Sequence, residues 1–286
     1  MWNTCIDAYL RSRGATRMES SQSSAGAVLE ARGVRKHFGA VVALSDASIA
    51  LRRHEVLGLV GDNGAGKSTL LKILSGILAA SGGEILADGK PIQLRRAQDA
   101  MDAGIETVYQ DLALVDSMSA YQNVYLGREE LARNPLAKFF NLVDDKLMRE
   151  KARQVLDSLQ VKIPSINVTV KGMSGGQRQC LAIARALLWG HRIVILDEPT
   201  AALGVRETGQ VLDVIRDLRK HDVSVIIVSH NMQQMMSVAD RITVMRLGRT
   251  IATRTVKDTQ VSEIVGLITG AIATDSQDLE PAAIPA

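Results

Sequence analysis

Glu55-Val56-Leu57-Gly58-Leu59-Val60 runs directly into Gly61-Asp62-Asn63-Gly64-Ala65-Gly66-Lys67-Ser68. A short apolar strand therefore ends in a glycine-rich loop. Ser68 to Leu78 follows at helical spacing, with Leu70, Leu71, Ile73 and Leu74 apolar and Gly76 near the end. The loop satisfies the phosphate-loop pattern G-x-x-x-x-G-K-[ST] without a gap. The pattern has a mechanical reason. Glycines let backbone N–H groups turn inward around phosphate oxygens, and the following helix offers its positive end to the same charge. Lys67 is placed to reach the β- and γ-phosphates, and Ser68 to bind Mg²⁺. The competing reading is a glycine-rich turn with no ligand, and the strand before and helix after weigh against it.

On either side of that stretch the chain alternates between strands and helices. Val28 to Ala31 and Ala47 to Leu51 read as strands flanking a turn at Gly39, and Glu84 to Leu86 leads into a hairpin turn at Asp88-Gly89. Ile105 to Tyr109 is another strand. Ile193 to Leu196 and Val223 to Val228 are near-continuous apolar runs, which suit central strands buried on both faces. Helices are expected over Gly176 to Leu188, closed by Gly190, and over Val205 to Lys220. Ile242 to Met245 begins a last strand region with a turn at Gly248. Between Asp111 and Lys171 charged helical segments dominate, such as Asp144 to Leu159, and read as a helical subdomain inserted into an α/β domain.

Two further groups carry chemistry. Ile193 to Leu196 ends in Asp197-Glu198, and a strand end is where a parallel α/β sheet places its ligands. Asp197 suits Mg²⁺, and Glu198 suits an attacking water that must be oriented and polarised. Ser174-Gly175-Gly176-Gln177 stands at a helix N-terminus, where a hydroxyl and free backbone N–H groups can meet an anion. An ordinary serine cap is the plainer reading of the same four residues.

Composition excludes several classes. In 286 residues, 34 basic side chains face 31 acidic ones, so the net charge of +3 gives no electrostatic case for nucleic acid. Aromatics make up 3% and hydrophobic residues 46%, which implies an aliphatic core. The two cysteines, Cys5 and Cys180, have no partners at metal-ligand spacing and suggest a reducing compartment. No apolar run reaches the roughly 20 residues a bilayer span takes. Residues 1–26, with Arg11, Arg13, Arg17 and the tract Ser20 to Ser24, are expected to form a disordered extension. Residues 27–272 are expected to form one domain, with its helical subdomain at about 111–171, and residues 273–286 a flexible tail.

The phosphate loop at 61–69, Gln110, the stretch 173–177, Ile193 to Glu198 and His230 occur in that order. In this the chain resembles the ATP-binding cassette family, over about residues 28 to 250. The resemblance implies an α/β P-loop NTPase core, an antiparallel β subdomain and an inserted helical subdomain. It implies that ATP binds along Gly61, Asp62, Asn63, Gly64, Ala65, Gly66, Lys67, Ser68 and Thr69, with Phe38 stacked on adenine. Gln110 would contact Mg²⁺ or water near a membrane subunit, beside Ser68 and Asp197. Glu198 would be the catalytic carboxylate, and His230 would contact the γ-phosphate. Ser174, Gly175, Gly176 and Gln177 would be the signature, which closes on the ATP of a second copy paired head to tail. Two departures stand out. Met173 replaces the usual Leu, and Gly204 replaces the Asp that usually ends the segment Ala201-Ala202-Leu203 and couples the two sites.

Around these motifs the wording is similar to bacterial monosaccharide importers of the fructose and ribose type, in single-cassette form. That likeness implies integral membrane permease subunits as partners, a periplasmic sugar-binding protein as an indirect one, and a peripheral place on the cytoplasmic face of the inner membrane. The alternative is a soluble cassette ATPase acting on nucleic acid or ribosomes. Paired cassettes, long coiled coils, zinc motifs or basic arms would mark that alternative, and the sequence displays none of them.

Overall fold

The computed structural model describes residues 26–132 and 140–272. The expected N-terminal extension, but for Gly26, lies outside the described residues, as does the expected tail. In chain order the strands are β1 (Ala27–Phe38), β2 (Val41–Arg52), β3 (Val56–Val60), β4 (Gly82–Ala87), β5 (Lys90–Ile92), β6 (Ile105–Val108), β7 (Ile193–Asp197), β8 (Ser224–Val228), β9 (Arg241–Arg246) and β10 (Arg249–Thr255). The helices are α1 (Lys67–Leu74), α2 (Ala97–Asp102), α3 (Ala120–Tyr125), α4 (Asp145–Ser158), α5 (Gly175–Leu188), α6 (Val205–Leu218), α7 (Met232–Val238) and α8 (Val261–Thr269).

The strands join in the order β5-β4-β1-β2-β10-β9-β3-β8-β7-β6. One half, β9-β3-β8-β7-β6, is parallel throughout. The other, β5-β4-β1-β2, is antiparallel. Strand β10 joins them, antiparallel to β9 and touching β2 through the single parallel pair Arg249↔Asp46.

Alternation explains why the central strands read as unbroken apolar runs. Val56 and Val60 of β3, Val194 and Leu196 of β7, and Val225 and Ile227 of β8 enter one core with helices α5, α6 and α7. Leu57 and Leu59, Ile193 and Ile195, and Ile226 and Val228 point the other way, into a second core with α1 and the antiparallel strands. Successive side chains in a strand face opposite sides, so covering both faces demands apolar residues at every position.

One expectation needs correction. The helix expected to run from Ser68 to Leu78 ends at Leu74, where the N–H groups of Ser75 and Gly76 turn back to Leu71 and Ile73 and Gly76 takes φ 74°. Between Asp111 and Lys171 the described residues include the helices α3 and α4, the second matching the expected Asp144 to Leu159 segment. Beyond these and a short turn at Val170–Gly172, the described residues there are loops, pinned by the bridges Ser119↔Thr169 and Leu131↔Val143. Asn123, fully buried, holds this region by accepting from the Val115 N–H at 2.7 Å and donating to the Val115 carbonyl at 3.0 Å.

Candidate functional site

The parallel register brings the chemistry together. Leu59 and Asp197 both pair with Val228, and Val108 pairs with Leu196. The residues following β3, β7, β8 and β6 therefore emerge level, at one edge of the sheet. They are Gly61, Glu198, His230 and Gln110, the carboxyl-end arrangement that ligands occupy in α/β sheets.

The loop between β3 and α1 is shaped by its contacts. Gly66 takes φ 100°, and a Cβ there would lie 2.6 Å from Leu44 Cδ2 and 3.0 Å from the Ala43 carbonyl. Ala65 is buried, while Asp62, Asn63, Gly64 and Ser68 are exposed at the mouth and Thr69 is half-buried. Lys67 donates from Nζ to the carbonyls of Gly61 at 2.6 Å and Asp62 at 2.9 Å. These carbonyls hold the ammonium over the loop where phosphate oxygens would take their place. Burial lowers the Lys67 pKa, opposed by the charges of Glu198, Asp62 and Asp197.

Asp197 closes β7. Burial, then the neighbouring Glu198, raises its pKa, while Lys72 and Lys67 act the other way. Glu198 takes φ 51°, unusual for a residue with a side chain. It is fixed there by its N–H donating to the Val228 carbonyl at 2.9 Å and by the Ala201 N–H donating to its own carbonyl at 3.0 Å. Its Oε1 lies 3.0 Å from His230 Nδ1, and because a carboxylate only accepts, Nδ1 carries the hydrogen. The Glu198 side chain is 20% exposed and that of His230 79%, so the pair sits at the lip of the site, with the imidazole free to move. The turn after Glu198 is tied down by Thr200 Oγ1, which donates to Gln234 Oε1 of α7 at 2.5 Å.

The hydroxyl of Ser68, the amide oxygen of Gln110 and the carboxylate of Asp197 would offer an all-oxygen donor set, the kind Mg²⁺ prefers. Among the described residues no three His, Cys, Asp or Glu side chains are grouped to hold a metal alone. An ion here would depend on phosphate oxygens for its remaining ligands.

Gln110 is exposed beyond β6. The segment after it is tied to α5, where Arg185 Nη1 donates to the Ala113 carbonyl at 3.4 Å. Phe38 is 48% exposed, with Lys36 Nζ 5.2 Å from its ring centre. It is no core residue.

Ser174 to Gln177 open α5. Ser174 caps α5, accepting from the Gln177 N–H at 3.3 Å, and its own N–H donates to Gln177 Oε1 at 3.0 Å. This is a reciprocal capping box, so Gln177, expected to hold nucleotide, spends its side chain on the helix start and on the Lys162 carbonyl at 3.0 Å. Glu207 of α6 packs against this turn, its Cβ 2.8 Å from where a side chain on Gly176 would begin. The sequence reading missed Glu207, Gln234, Lys72 and Asn123. Glu207 had a signal, since it stands three residues after Gly204 at the start of a helix. Gln234 had none, because α7 itself was not foreseen.

Comparisons with known proteins agree with this geometry. The family model described as ABC transporter matches residues 44–201. The chain is 45% identical to a fructose import ATP-binding protein of Rhizobium meliloti, over 85% of this chain and 94% of that protein. It is 44% identical, with the same coverage, to a xylose/arabinose import ATP-binding protein of Sulfolobus acidocaldarius. A solved ATP-binding cassette of an ABC transporter in its ADP conformation superposes with a TM-score of 0.72 at 24% identity, over 90% of this chain and 98% of that one, which shows the shared fold. The fold and site are those of a P-loop ATPase. The chain belongs to the ABC transporter family, as an ATP-binding subunit that hydrolyses ATP.

Proposed function

We propose that this chain powers sugar import through a membrane permease, as two copies that close head to tail around two ATP molecules. The sugar follows from the import proteins it resembles. The clamp is supported by the different partners of the two motifs: Lys67 holds the Gly61 and Asp62 carbonyls and Glu198 pairs with His230 at the sheet edge, while Ser174 caps a helix packed on α6. Among the described residues no helix is long and apolar enough to cross a membrane. Import would therefore need other subunits to span it, with this chain peripheral on the cytoplasmic face.

In this reading the backbone from Gly61 to Thr69 cradles the phosphates, Lys67 exchanges its loop carbonyls for β- and γ-oxygens, and Phe38 stacks on adenine. Ser68, Asp197 and Gln110 would hold Mg²⁺, which supplies charge neutralisation at the β- and γ-phosphates. Glu198 orients a water in line with the γ-phosphorus and draws its proton. The water oxygen bonds to phosphorus as the bond to the β-phosphate oxygen breaks, giving ADP and phosphate. His230, oriented by Glu198, contacts the γ-phosphate. The partner's signature completes the site only while that phosphate is attached, so ATP favours closure and hydrolysis releases it. The segment after Gln110, anchored to α5, would carry the motion to the permease.

Reconstitution with the permease and binding protein in proteoliposomes tests this. One monosaccharide should raise the ATPase rate and be transported. ATPase activity indifferent to every monosaccharide, with no permease copurifying, would refute the import assignment.

A further inference from the structure

Glu106 and His191 are buried polar groups that the phosphate chemistry does not use. Glu106 lies in β6, four residues before Gln110, and its side chain is 13% exposed. His191 stands between α5 and β7, and its side chain is 6% exposed. Strand pairing fixes both. The N–H groups of Arg192 and Ile193 donate to the Gly104 carbonyl at 3.1 and 3.0 Å, and Glu106 pairs with Val194. Arg128 reaches the same point from the segment after α3. Trp189, just past α5, keys that segment in place. Its indole N–H donates to the Val124 carbonyl at 3.2 Å, its ring meets Tyr125 edge-on at 5.4 Å, and the Arg128 guanidinium lies 5.0 Å from its centre. The strand leading to Gln110, the end of the signature helix and the helical segment therefore meet at one cluster.

His191 Nε2 lies 3.1 Å from Glu106 Oε2 and 3.3 Å from Arg128 Nη1. A guanidinium only donates, and a carboxylate only accepts. With a hydrogen on Nε2 the ring bonds Glu106. With a lone pair there it bonds Arg128. A protonated Glu106 would compete with Arg128 for the same lone pair. One nitrogen thus serves one partner at a time.

We propose that His191 is a positioning residue for the ATPase: its Nε2 exchanges between Glu106 and Arg128, latching the helical segment to the core in one state and releasing it in the other. The inference rests on the reading above, in which the segment after Gln110 carries motion to the permease. The exchange is a change of tautomer. One proton leaves Nδ1 as another arrives at Nε2, through water, so the neutral ring keeps its charge. Once released, Arg128 still rests on Trp189 and on Met101, whose Sδ is 3.2 Å from Nη2. The charges of Arg185, from α5, and Arg128 act on Glu106 against its burial. Arg185 also donates to the Ala113 carbonyl at 3.4 Å, which ties the segment after Gln110 to the same cluster.

Nitrogen-15 spectra of the full chain labelled at histidine test this, because a ring nitrogen with a hydrogen and one with a lone pair differ widely in shift. The His191 signals are assigned against His191→Gln. In the Glu198→Gln protein, saturating ATP with Mg²⁺ should move the hydrogen from one ring nitrogen of His191 to the other. Arg128→Met fills similar space beside Trp189 without a donor, and should leave the hydrogen on Nε2 in both samples. Arg128→Lys returns a donor and should restore the exchange. With permease and binding protein in proteoliposomes, Arg128→Met should lower the sugar-stimulated ATPase rate about fivefold, the low end of coupling between two sites. The basal rate should hold, and Arg128→Lys should recover the stimulation. Light scattering of the same samples reports closure. Identical His191 spectra with and without ATP in a dimer that has closed would overturn the latch and leave the clamp standing, and so would undiminished stimulation in Arg128→Met. A Glu198→Gln chain that stays monomeric at saturating ATP would overturn the clamp and the latch with it.

Discussion

Replacing Asn123 by Ala should destabilise the protein and loosen the segment after Gln110. Asn123 is fully buried in α3. Its Oδ1 accepts from the Val115 N–H at 2.7 Å, and its Nδ2 reaches the carbonyls of Val115 at 3.0 Å, Ser119 at 3.1 Å and Met118 at 3.3 Å. The three carbonyls keep other partners, the N–H groups of Met118, Asn123 and Val170. The Val115 N–H has no such substitute unless the loop opens to water. Orphaning one donor costs about 1–3 kcal/mol, and each lost bond with a surviving partner about 0.5–1.5. Because Nδ2 has two hydrogens for three acceptors, two such losses are counted; the sum of about 2–6 kcal/mol falls to about 2–4 because Val115 is 37% exposed and water reaches its N–H. For a domain of this size that is about 4–16 °C in Tm. Thermal unfolding followed by circular dichroism reads it directly. The basal ATPase rate should survive better than its stimulation by permease, because the loosened segment lies between the two. A Tm within about 2 °C of wild type would refute Asn123 as the tie between the loop and α3.

Gly66→Ala should cost about 1–2 kcal/mol for the left-handed backbone alone, with more from contact against Leu44 and Ala43. Melting temperature and ATP titration should both report the loss. His191 gives a pH dependence. Burial, then Arg128, holds its pKa down at about 4, from 6.5. The Glu106 contact at 3.1 Å pulls the other way, but burial also pushes Glu106 toward its neutral form, so we take burial to prevail. The unfolded chain then binds the proton more readily, and stability falls as pH drops from 6.5 to 4 and flattens below. The loss approaches about 3 kcal/mol at most. Denaturant melts across that range should show the wild-type slope, and His191→Gln should flatten it.

The parallel half of the sheet was legible because its signals are local. A phosphate loop must follow a strand, and double burial leaves Ile193 to Leu196 and Val225 to Val228 without polar positions. The edge residues Lys67, Asp197, Glu198 and His230 were legible for the same reason, since each ends or follows such a strand. What escaped depends on contacts distant in sequence. The tie of Thr200 to Gln234 needs α7, a helix with no strong pattern of its own. The approach of Glu207 to the signature needs α6 laid across Gly176, and nothing at positions 174–177 announces an acidic neighbour.

The central claim is that two copies of this chain share each ATP. Glu198→Gln keeps an acceptor for His230 Nδ1 and removes the carboxylate that orients water, so hydrolysis should stop with the dimer closed. Light scattering of the purified variant should give the monomer mass without nucleotide and twice that mass with saturating ATP, and Lys67→Ala added to it should abolish the change. A Glu198→Gln chain that remains monomeric with ATP bound, or that dimerises equally without it, would contradict the account.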